Sequence, residues 1–177
     1  MASLLVVTGP PGAGKSTVSA LLADGADRSV LVEGDRFFGF LAAGAIEPWR
    51  SEAHQQNLVV TEAAAVAAGR FASEFETVYE GVLGPWFLPT FARATGLSEL
   101  DYVIVLPSAG ACAARVRSRA GHSFTDEHTA RELHHQFATS QIERRHVLRG
   151  DFDQPAETVS AIHSLRERGV LRYAIDA

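Results

Sequence analysis

Gly9-Pro10-Pro11-Gly12-Ala13-Gly14-Lys15-Ser16 fits the pattern G-x-x-x-x-G-K-[ST] at every fixed position. Residues 4–8, just before it, form a short apolar run of the kind a central buried strand requires. Residues 16–23, just after it, read as a helix that closes at Asp24-Gly25. Strand, glycine-rich turn and helix N-terminus in that order make a phosphate cradle. Glycines reach backbone angles that a β-carbon forbids, so their amides can close around phosphate oxygens. The helix offers its positive end to the same anion. Usual residue frequencies produce such a match by chance in on the order of one chain in a few hundred. The motif therefore decides how the rest of the chain is read.

Outward from the cradle, strands and helices alternate. Residues 30–33 form a second strand that stops at Gly34-Asp35, followed by a short helical piece at 36–43. A longer helix spans 52–68 and is stopped by Gly69. Strands follow at 77–82 and 102–106, with a short helix at 85–94 between them. Ser108 caps a helix that runs to about residue 119. After a polar break at 121–125, Thr125 caps the next helix, which runs to about residue 140. A weak strand at 146–148 precedes a last helix, opened by Asp153, Pro155 and Glu157 and ending at Gly169. The order βαβαβαβααβα predicts an α/β fold with a mainly parallel sheet. With 177 residues and no linker, repeat or low-complexity tract, residues 1–177 form one domain.

The chemistry gathers around the cradle. Lys15 would reach the β- and γ-phosphates of a nucleotide, and the Ser16 hydroxyl would ligate Mg²⁺. Gly9, Pro11, Gly12, Ala13, Gly14 and Thr17 complete the nucleotide-binding set. No N-K-x-D stretch exists to read guanine, and Lys15 is the sole lysine against 15 arginines, so the nucleotide expected is ATP. Ligands of such sheets sit at the carboxyl ends of the strands. Asp35 follows the second strand and Glu80 ends the third. Asp35 is a candidate base for an acceptor hydroxyl or a holder of the Mg²⁺ shell, and also a plain helix cap. Glu80 is an acceptor-side candidate, with a simple pairing to a nearby arginine as the other reading. The nearest thing to a metal-binding acidic strand is Thr77-Val78-Tyr79-Glu80, which disfavours motor-type ATPases.

Arg115, Arg117 and Arg119 precede the polar break. Arg115 and Arg119 share a helix face, and either can meet nucleotide phosphates, with Arg119 the catalytic candidate. On the acceptor side, between residues 36 and 95, Arg36, Phe38 and Trp86 are the substrate-binding candidates. Phe37, Phe40 and Trp49 border the same cleft and could hold a flat or hydrophobic acceptor. The Glu132-x-x-His135 and Glu143-x-x-His146 spacings match di-iron ligands, but that site needs four long helices. Cys112, in an Ala-rich helix, reads as a small core residue.

A net charge of −5 argues against a nucleic-acid partner. No apolar run approaches a membrane span, and one cysteine cannot form an internal disulfide. These features fit a cytoplasmic protein, expected as a monomer or homodimer.

With these residues in place, the chain resembles the small P-loop kinases and, more broadly, AAA-type ATP-binding proteins. Gluconate kinases and adenylylsulfate kinases carry a Gly-Asp like Gly34-Asp35. Gluconate kinases also show an Arg-x-Gly-His similar to Arg119-Ala120-Gly121-His122 and a Ser-Gln like Ser140-Gln141. Chloramphenicol phosphotransferases resemble it in size and in an Asp after the second strand that serves as base. Nucleoside monophosphate kinases often have Asp-Gly where this chain has Glu80-Gly81. The resemblance implies a P-loop NTPase three-layer α/β/α fold with five parallel strands in the order 2-3-1-4-5 and a short lid at 119–126. It also implies transfer of phosphate from ATP·Mg²⁺ to a hydroxylated small molecule, a metabolite or an antibiotic. The competing expectations are a nucleoside monophosphate kinase and a non-catalytic ATP-binding module.

Overall fold

The apolar run before the cradle forms β1 (Ser3–Thr8), and the cradle leads straight into α1 (Lys15–Asp24) in a computed structural model that describes residues 3–118, 127–152 and 154–175. β2 (Ser29–Glu33) follows, then a 3₁₀ turn (Gly34–Phe40), α2 (His54–Ala72), β3 (Glu76–Gly81), α3 (Leu88–Ala94) and β4 (Glu99–Leu106). The remainder comprises α4 (Ala109–Ser118), α5 (Glu127–Thr139), β5 (Val147–Arg149), α6 (Pro155–Glu167) and β6 (Arg172–Ala174).

The strands lie in the order β2-β3-β1-β4-β5, all parallel. Side chains alternate across a strand, so β1 feeds two cores. Leu4 and Val6 pack with Tyr79, Tyr102, Ala64, Ala68 and Phe91 under α2 and α3. Leu5 and Val7 pack with Val18, Leu22, Cys112 and Ile162 under α1, α4 and α6. The result is three layers, α/β/α. Each wholly buried large apolar side chain, such as Leu5 or Phe91, contributes about 1.5–3 kcal/mol.

Four local expectations change. A sixth strand joins the sheet: β6 runs antiparallel to the start of β4, with Leu100 opposite Tyr173, while β5 pairs with the end of β4. Gly69 does not stop α2, which runs on to Ala72. A β-carbon there would lie 2.0 Å from the Thr95 carbonyl oxygen, so the glycine lets α2 close onto the end of α3. The piece at 36–43 is a 3₁₀ turn rather than an α-helix. The last helix is opened by a Gln154/Glu157 capping box. Asp153, Thr125 and the expected lid at 119–126, including Arg119, lie outside the described residues.

Candidate active site

The cradle is held by its glycines. Gly12 (φ +79°) and Gly14 (φ +91°) take left-handed backbone. A β-carbon on Gly12 would lie 2.3 Å from the Cys112 carbonyl oxygen, so the loop presses against α4. Ala13 donates its N–H to the Pro10 carbonyl at 3.1 Å, closing the turn. Helix α1 begins with no side-chain cap and no acid in its first turn. Its leading amides and dipole are left for an external anion. Lys15 is only 7% exposed at this point, and Ser16 and Thr17 are exposed on the first turn.

Thr8 is the buried polar residue of β1, and the structure gives the reason. Wholly buried, its hydroxyl donates to the Leu83 carbonyl (3.0 Å) and accepts from the Leu83 N–H (2.9 Å). The Tyr102 hydroxyl donates to the same carbonyl at 2.9 Å. The loop after β3 is thereby fixed to the mouth of the cradle. Register sets Val7 and Glu33 on either side of Glu80.

Glu80 is 5% exposed and accepts a hydrogen bond from the Ser16 hydroxyl at 3.1 Å. Burial pushes its carboxyl above the ordinary value of 4.5. Lys15 pulls it back down, Asp35 pushes it up, and the Ser16 bond lowers it. Asp35 is exposed, and its Oδ1 accepts a long hydrogen bond from the Val82 N–H at 3.5 Å. Gly34 makes this approach possible: a β-carbon there would lie 2.1 Å from the Tyr79 hydroxyl. The Tyr79 phenol stays neutral, pushed far up by burial and then by Asp35 and Glu80.

Lys15, Ser16, Asp35 and Glu80 thus share one end of the sheet. The hydroxyl of Ser16 and the carboxylates of Glu80 and Asp35 are hard oxygen donors, the set that Mg²⁺ takes. The uncapped N-terminus of α1 beside Lys15 suits phosphate. Arg115 lies along the cradle, its Nη1 donating to the Gly12 carbonyl at 3.5 Å. Arg117 is drawn away and binds Glu127. Arg36 is held by Glu33 one turn back. Phe38 is half-buried on the 3₁₀ turn, and Trp86 is 44% exposed. The Trp86 ring folds back over Gly84 and packs on Phe137 of α5, with centroids 5.4 Å apart.

One wall of the site was missed in the sequence. Pro107, Gly150, Phe152 and Pro155 join Thr17 and Arg115, both expected from the sequence, to line a pocket of about 120 Å³ next to the cradle. Asp151 holds this wall, its Oδ1 accepting from the Ser108 N–H at 2.6 Å; that bond keeps its carboxyl below the ordinary value. The signal was a glycine and an aromatic just past a strand at the carboxyl edge, too common to stand out. His146 is buried with its Nδ1 donating to the Tyr102 carbonyl, and Cys112 is buried with its thiol pushed up to about 11. Among the described residues no cluster of His, Cys, Asp and Glu would hold a metal as a set of three.

No protein-family model matches the sequence, and no curated protein matches it. Solved structures do. A sugar kinase from Janibacter sp. HTCC2649 aligns with a TM-score of 0.68 at 16% identity, over 94% of this chain and 95% of that one. The tunicamycin resistance protein of Deinococcus radiodurans aligns with a TM-score of 0.69 at 12% identity, over the whole of both chains. A gluconokinase from Sinorhizobium meliloti 1021 aligns with a TM-score of 0.59 at 20% identity, over 96% and 94%. The chain has the fold of the small P-loop kinases, with the strand order expected of it. Among the described residues no helix is long and apolar enough to cross a membrane.

Proposed function

We propose that this protein is an ATP·Mg²⁺-dependent phosphotransferase that moves the γ-phosphate to a hydroxyl of a small molecule. The observation that carries the reading is the Ser16–Glu80 hydrogen bond, made beside an uncapped glycine cradle and within reach of Asp35. A glycine turn alone would need no buried carboxylate on its serine. The small-molecule kinases among the structural neighbours support the class.

The chain's own residues divide the work. Lys15 and the leading amides of α1 hold and neutralise the β- and γ-phosphates. Ser16 and Glu80, with Asp35 at the rim, are the residues that would hold Mg²⁺, which when bound neutralises charge on the phosphates. Asp35 faces the acceptor side and takes the hydroxyl proton as the new O–P bond forms and the bond to the ADP oxygen breaks. Arg115 flanks the cradle, and the pocket lined by Thr17, Gly150 and Phe152 takes the base of the nucleotide. Arg119, outside the described residues, is the proposed cation for charge on the transferring phosphoryl group.

The test is coupled ADP release with ATP·Mg²⁺ against sugars, sugar acids, nucleosides, their monophosphates and hydroxylated antibiotics. One acceptor should raise turnover well above the acceptor-free rate. With it, Asp35→Asn should cost about 10²–10⁴ in phosphoryl transfer and leave affinity for metal-free ATP near normal. ATP binding with no stimulation by any acceptor would favour a nucleotide-binding module instead.

A further inference from the structure

Beside Lys15, which serves the phosphates, the charged groups at these strand ends are carboxylates. Glu33 and Glu80 are register partners at the strand ends, and Asp35 follows two residues later. The four arginines between residues 36 and 95 are either paired with a carboxylate or set at the far edge of the sheet. Arg36 is held by Glu33. Arg50 sits 4.0 Å from Glu52. Arg70 and Arg93 lie in the last turns of α2 and α3. Those helices return the chain to the starts of β3 and β4, at the opposite edge of the sheet from Asp35. From α5, Arg131 binds Glu127.

Exposed aromatic surface lies on the segments that follow these carboxylates. Phe40 is 79% exposed, five residues beyond Asp35. Trp86 keeps its exposed face four residues beyond Val82, the residue that hydrogen-bonds Asp35. Exposed aromatic rings on the segments that follow the strand-end carboxylates favour a ligand with an apolar face, and carboxylates beside them disfavour an anionic one.

Resting on the phosphotransferase reading, we infer that the acceptor is an alcohol without negative charge that carries an apolar face, rather than a sugar acid, another hydroxy carboxylate or a nucleoside monophosphate. Trp86 is its contact surface, and Glu33, by pairing with Arg36, keeps that guanidinium from serving an anionic acceptor.

Two measurements decide it. First, Trp49→Phe leaves Trp86 as the sole tryptophan, and its fluorescence is quenched with iodide, acrylamide and caesium, each scaled to free tryptophan. Iodide should quench severalfold less than caesium. Glu33→Gln removes one charge and frees Arg36, so it should raise iodide quenching by about twofold at low salt. Equal quenching by both ions would overturn the inference. Second, matched acceptors are compared by ADP release: phenylethanediol against mandelate, and glucitol against gluconate. The neutral member should win by about tenfold or more in kcat/KM, and Trp86→Ala should raise KM for the aromatic diol while leaving KM for ATP unchanged. A carboxylate acceptor used better than its neutral partner would overturn the inference and leave the kinase reading standing. Iodide exclusion with no turnover of any acceptor would keep the site's selectivity and remove the kinase reading.

Discussion

Arg166 lies at the amino edge of the sheet between two carboxylates, and Lys15 lies at the carboxyl edge beside two others. The local inventories match, yet the two edges use them differently. Arg166 donates through Nε to Asp101 at 2.9 Å, through one terminal nitrogen to Glu76, and through the other to the Ser3 hydroxyl. Ser3 in turn donates to Glu76 at 2.8 Å. Burial lowers the Arg166 pKa, but the hydrogen bonds to Glu76 and Asp101 outweigh that and raise it. At the other edge, among the described residues, no ion pair within 4 Å closes on Lys15, Asp35 or Glu80. Glu80 has a serine where Glu76 has an arginine as well. One edge spends its charges on joining β1, β3, β4 and α6. The other holds them ready for groups that arrive from solution.

Removing the cation should therefore give opposite phenotypes at the two edges. Lys15→Ala should abolish ATP-dependent turnover, a loss of about 10³-fold or more, with the melting midpoint little changed. Activity retained within tenfold would break the comparison at its functional end. Arg166→Ala should leave kcat and KM within about twofold below the midpoint. It strands Glu76 and Asp101 and should cost about 2–4 kcal/mol, less than a fully buried ion because a fifth of the Arg166 side chain is exposed. At this size that is a fall of about 5–15 °C in the midpoint. An unchanged melt would mean that the amino edge is held by packing alone.

The two edges were also unequally legible. The cradle is eight consecutive residues whose spacing has one physical use, and Asp35 and Glu80 follow from where strands end. Arg166, Glu76, Asp101 and Ser3 meet across separations of up to 163 positions, and no local pattern reports that. β6 is three residues long, and its pairing with β4 is a non-local event that propensity does not carry. Ser16 was read as a metal ligand and Glu80 as an acceptor residue. Their hydrogen bond, which ties Glu80 to the phosphate side, depends on the register of β1 against β3. Gly69 looked like a helix stop because a glycine that packs and a glycine that breaks are the same letter.

Gly69 sharpens the comparison next, because it belongs to the packed edge. An alanine there places its β-carbon on the Thr95 carbonyl, a backbone atom that can move only with α3. Gly69→Ala should cost about 1–3 kcal/mol by overpacking, although glycine to alanine within a helix is ordinarily favourable. Stabilisation in a thermal melt would show that α2 and α3 have slack between them.

The smallest effect should be the most discriminating, because it reverses the usual sign of a site mutation. The folded pKa of Glu80 is raised above 4.5, chiefly by burial. A carboxyl with a raised folded value takes up protons more readily folded than unfolded. Its ionisation therefore costs stability, nothing below pH 4.5 and increasingly as the pH rises through the folded value. Glu80→Gln removes that cost and can still accept from Ser16. The variant and the parent should melt alike at pH 4, and the variant should melt higher at pH 8. Saturating Mg²⁺ with an ATP analogue should close the gap or invert it, since only the carboxylate can serve the metal. Turnover of the variant should fall, with a raised Mg²⁺ requirement. A variant less stable than the parent at pH 8 would place Glu80 with Glu76, as a residue that holds the sheet together.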